Sequence, residues 1–71
     1  MATSLYDLPG IPDLRDAPEA VRQRVDRISA AAGGDLARQA DAWEYLAQYG
    51  GDVATRYWAS RVTCALALAL G

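Results

Sequence analysis

Seventy-one residues, 52% of them hydrophobic and 23% charged, make one small domain with no room for a second. Seven basic against nine acidic side chains leave a net charge of −2, too little attraction for nucleic acid and too little repulsion for a nucleic-acid mimic. All seven basic residues are arginine; without histidine or lysine the commonest general base, the commonest metal ligand and Schiff-base chemistry are missing, so no catalysis, cofactor or metal is expected.

Residues 1–16 read as an extended, proline-containing N-terminal arm. Pro9, Pro12 and, just beyond, Pro18 oppose regular structure there, and no proline follows. Leu5, Tyr6, Leu8, Ile11 and Leu14 give the arm five large apolar side chains, too many for a disordered tail. It is expected to lie either back across its own bundle, the favoured reading, or on a partner as a linear motif. The first reading answers a shortage: of 37 hydrophobic residues 15 are alanine, leaving 22 larger ones for a core that a chain of this length builds only marginally.

Residues 17–71 read as an all-α domain, a small three-helix bundle or a helical hairpin with an extra helix. Asp16-Ala17-Pro18-Glu19 has the acids and first-turn proline of a helix start. Val21, Val25, Ile28 and Ala32 then form a narrow apolar stripe, and Gly33-Gly34 ends it, which predicts helix one over 17–32. Asp35 is expected to cap helix two, running to Tyr49. Leu36, Ala40, Trp43 and Ala47 define its core face. On its other side Arg38, Tyr45 and Tyr49 fall within about 40° of one another, with Asp41 close by as a balancing charge for Arg38. Tyrosine and arginine are enriched where proteins bind each other, so these three are the candidate partner-binding residues.

Gly50-Gly51-Asp52 then repeats the Gly33-Gly34-Asp35 sequence, read as a recurring stop, turn and cap, and predicts helix three from Val53 to Leu70. Its apolar residues spread over roughly 220° of circumference, more than one neighbour covers, so self-association is expected through Trp58, Val62, Leu66 and Leu70, with Leu66 and Leu70 as the surplus. Arg61 falls inside that arc and is expected either to reach water or to pair with a carboxylate such as Glu44 or Asp41. Cys64 is expected to fill core; one cysteine makes neither an internal disulfide nor a metal site.

The function these features predict is a small non-enzymatic protein–protein interaction module, a regulator, inhibitor, adaptor or assembly subunit that forms a homo-oligomer. The alternative is a helix-turn-helix-like DNA-binding regulator using helices two and three. Ala47 and Gly51 have the spacing, but Gly50 and Asp52 occupy positions unsuited to it. No stretch approaches the roughly 20 apolar residues of a membrane span, and the N-terminus lacks signal-peptide features. A cytoplasmic location, in a bacterium or a phage-infected cell, is expected.

Overall fold

A computed structural model describes residues 4–71; the first three residues of the arm lie outside it. The chain forms three helices, α1 (Glu19–Ala31), α2 (Leu36–Tyr49) and α3 (Val53–Leu70), preceded by two 3-10 turns at Leu5–Asp7 and Pro12–Asp16, with no strand among the described residues. The fold is therefore an all-α three-helix bundle with a proline-containing arm. No helix among these residues is long and apolar enough to cross a membrane.

Helix α1 starts two residues later than the pattern suggests. Ala17 precedes a proline, which disfavours helical dihedrals, and it is extended with ψ 157°. The Pro18 carbonyl accepts the first helical bonds from Val21 and Arg22, and the Arg22 guanidinium donates to the Ala17 carbonyl at 3.0 Å. At the other end Gly33 and Gly34 have φ of 61° and 81°. Gly34 N–H donates to the Ser29 carbonyl and Gly33 N–H to that of Ala30, the paired bonds of a Schellman stop.

Both aspartates cap as expected. Asp35 accepts from the amides of Ala37 and Arg38, while Asp52 accepts from the Thr55 amide at 2.8 Å and its hydroxyl at 2.9 Å. The two glycine pairs nevertheless do different work. Gly50 has φ −58° and no need of a left-handed residue. It is buried, and a Cβ there would stand 2.6 Å from the Leu46 carbonyl oxygen and 3.1 Å from Thr55 Cγ2. The first pair reverses the chain through its dihedrals; in the second, Gly50 lets α2 and α3 close up.

Helices α2 and α3 are the principal packed pair, and α1 touches each more lightly. The arm supplies what this arrangement lacks. Leu5, Leu8, Ile11 and Leu14 are buried together with Val21 and Val25 of α1, Trp43 of α2 and Val62 and Leu66 of α3. The arm thus lies on its own bundle. Its backbone runs close to α3 at Gly10, where a Cβ would approach that of Ala65 to 3.2 Å. Half-buried Tyr6 packs against the core, and burial, then the nearby Asp26 charge, raises its phenol pKa.

Candidate interaction surfaces

The outer side of α2 is set by the helix period. With Trp43 and Gln39 fully buried, residues half a turn away must face solvent. Tyr45 and Tyr49 are 63% and 67% exposed, and their rings stack on one another with centroids 5.0 Å apart. Arg38 is exposed about two turns before Tyr45 and three before Tyr49 on the same side. It forms neither an ion pair nor a side-chain hydrogen bond among the described residues, so the expected balance by Asp41 is not made. Arg38 and Ala42 also line an open, largely apolar depression of about 190 Å³, walled across the α1–α2 junction by Ile28, Ala31 and Ala32. The sequence placed the three polar and aromatic residues together; the depression beside them depends on how α1 crosses α2 and carries no signature in the sequence.

On α3 the structure corrects the expected interface. Val62 and Leu66 have no exposed surface, because the arm and α2 cover them within the same chain. Trp58 is half-buried against the core, with the Arg61 guanidinium 4.9 Å from its ring centroid. Of the four expected residues only Leu70 stays open, at the last turn. The surplus lies on the opposite edge of the apolar arc, where Val53, Tyr57 and Leu68 are 73%, 56% and 80% exposed. Cys64 shares that edge and is exposed, contrary to its expected place in the core.

Arg61 pairs with neither Glu44 nor Asp41. It makes two parallel bonds of 2.7 Å to Asp13 in the arm, the bidentate geometry that suits guanidinium and carboxylate. Its flat face lies over Trp58 and, at 5.7 Å, Tyr57. The hydrogen bond from Arg61 holds the Asp13 carboxyl below its ordinary pKa, and Asp13 in turn raises that of the guanidinium. The sequence signal was present on both sides, an arginine in an apolar arc and an acid in an apolar arm, but nothing local linked them.

No family model, curated protein or solved structure matches this chain.

Proposed function

We propose that this protein is a small interaction module that engages another protein through the outer face of α2 and also associates with itself. The observation that carries the first half is the stacked, exposed Tyr45–Tyr49 pair in line with Arg38, which has no ion-pair partner among the described residues, and an apolar depression. Two rigid amphipathic rings offer contact area at small entropic cost. The depression has room for one large apolar side chain, and Arg38 at its lip would meet a carboxylate of the partner.

The DNA-binding alternative draws little from α3. Arg56 donates to the Gly50 carbonyl at 2.7 Å and Arg61 is held by Asp13, so both arginines of that helix are already engaged. The edge that α3 turns outward is apolar rather than cationic.

The test is affinity capture from the native host with the wild-type chain and with a variant in which Arg38, Tyr45 and Tyr49 are all alanine. Reduced capture of a specific protein with an unchanged helical spectrum supports the reading. Equal capture by both chains overturns it, and salt-sensitive binding to random duplex DNA would favour the alternative.

A further inference from the structure

The exposed edge of α3 has a register that a second copy of the same helix would match. Val53, Tyr57, Cys64 and Leu68 fall within about 60° of arc and carry no charge. Val53 and Leu68 are equally distant from the midpoint between Ser60 and Arg61, and so are Tyr57 and Cys64. A two-fold interface requires this property, since residue i must meet residue j while j meets i. We propose that two chains pair antiparallel along this edge of α3, with Val53 beside Leu68 and Tyr57 beside Cys64 of the second copy.

Three features favour this occupant. Each contact sets a larger side chain against a smaller or differently shaped one, so the rows interdigitate. Ser60 near the axis lets the helices approach. The two-fold also brings Arg61 of both copies to one flank, and each arrives with the Asp13 carboxylate bound in two 2.7 Å bonds. The flank therefore presents alternating charges rather than two bare cations. The strip is about 22 Å long and about 10 Å wide, well short of the ~800 Å² per partner of a standard interface. The pair is accordingly weak and reversible, forming at micromolar concentrations or above. This deepens the self-association half of the function proposed above and is independent of the α2 face.

Sedimentation velocity from low micromolar to near-millimolar concentration is the first test, with wild type, Leu68→Glu and the triple alanine variant of Arg38, Tyr45 and Tyr49. The expected result is a concentration-dependent dimer for wild type and for the triple variant, and a dimer weakened at least about tenfold by Leu68→Glu. Leu68 is 80% exposed, so that substitution leaves the fold intact, as its helical spectrum would verify. A wild-type monomer throughout, or a dimer indifferent to Leu68→Glu, overturns the proposal. Loss of the dimer in the triple variant overturns it too, by moving the contact to α2. Cross-linking tests the register. In Tyr57→Cys, residues 57 and 64 lie about 10 Å apart along one helix, too far to bridge within a chain, but adjacent between antiparallel copies. Mild oxidation should give a covalent dimer from Tyr57→Cys and much less from wild type, whose two Cys64 residues lie about 10 Å apart along the axis. Cross-linking of the wild type as fast as that of Tyr57→Cys would mean parallel pairing, which sets Cys64 beside Cys64 in both chains, and would overturn the assignment.

Discussion

Arg61 joins the arm to α3 across 48 residues of sequence, and its bond to Asp13 gives the fold a pH dependence of definite sign. A carboxyl with a depressed folded-state pKa contributes stability that is present above its unfolded value, near 4, and lost as pH falls through the lower folded value. Asp13→Asn should therefore melt below wild type at neutral pH, with the gap closing below about pH 4. Thermal melts of both chains over a pH series would check this; a gap that persists in acid would mean that Asp13 acts by something other than its charge. Gln39 poses the opposite case. It is 1% exposed and its Oε1 has no hydrogen-bond partner among the described residues, as is also true of Trp43 Nε1 one turn on. An orphaned buried acceptor costs about 1–3 kcal/mol, so Gln39→Met, which keeps the volume, is expected to raise the melting temperature. A lower midpoint in urea would show that the amide is satisfied.

At the scale of the elements, the two glycine turns separate by chemistry. Gly33 sits at φ 61° with open space around it, so Gly33→Asn should be nearly neutral and Gly33→Ala should cost about 1–2 kcal/mol. Gly50 has ordinary dihedrals but no room, and there asparagine should be no better than alanine, each costing about 1–3 kcal/mol. Urea denaturation of the four variants decides the matter, and rescue of position 50 by asparagine would contradict the close-approach argument. The Asp35 cap is open to the same measurement. Its carboxylate holds two amides at the start of α2, and Asp35→Ala is expected to cost about 0.5–2 kcal/mol.

At the scale of the molecule, the arm is part of the core. Ile11 and Leu14 have no exposed surface, and truncating either to alanine should cost about 2–5 kcal/mol. A single core in a domain this small supplies only about 3–5 kcal/mol, so either change should unfold much of the population at room temperature. Tyr45→Ala and Tyr49→Ala remove rings more than 60% exposed and should shift stability by about 0.5 kcal/mol or less. Circular dichroism would show the contrast, and a folded Leu14→Ala chain would reduce the arm to a passenger.

The amino-acid sequence by itself determined the three helices, the aspartate caps of α2 and α3, the Gly33-Gly34 stop and the side of α2 that carries Trp43. Each rests on interactions within about five residues along the chain, where spacing and side-chain chemistry act without help from elsewhere. The start of α1 was placed at residue 17, two residues early, although a local signal was there: the pre-proline position of Ala17 disfavours helical dihedrals. Only the tertiary structure decided which part of α3's broad apolar arc is core, which carboxylate Arg61 holds, and why Gly50 is small. Periodicity fixes the width of an apolar arc but not which edge its neighbours cover. That choice fell to long-range packing: α2 closes on the Thr55 and Ala59 side, and the arm approaches beside Arg61 and Ala65. Val62 and Leu66 are buried between those two approaches, while Val53, Tyr57, Cys64 and Leu68 stay exposed, Leu68 at the margin where Gly10 of the arm passes.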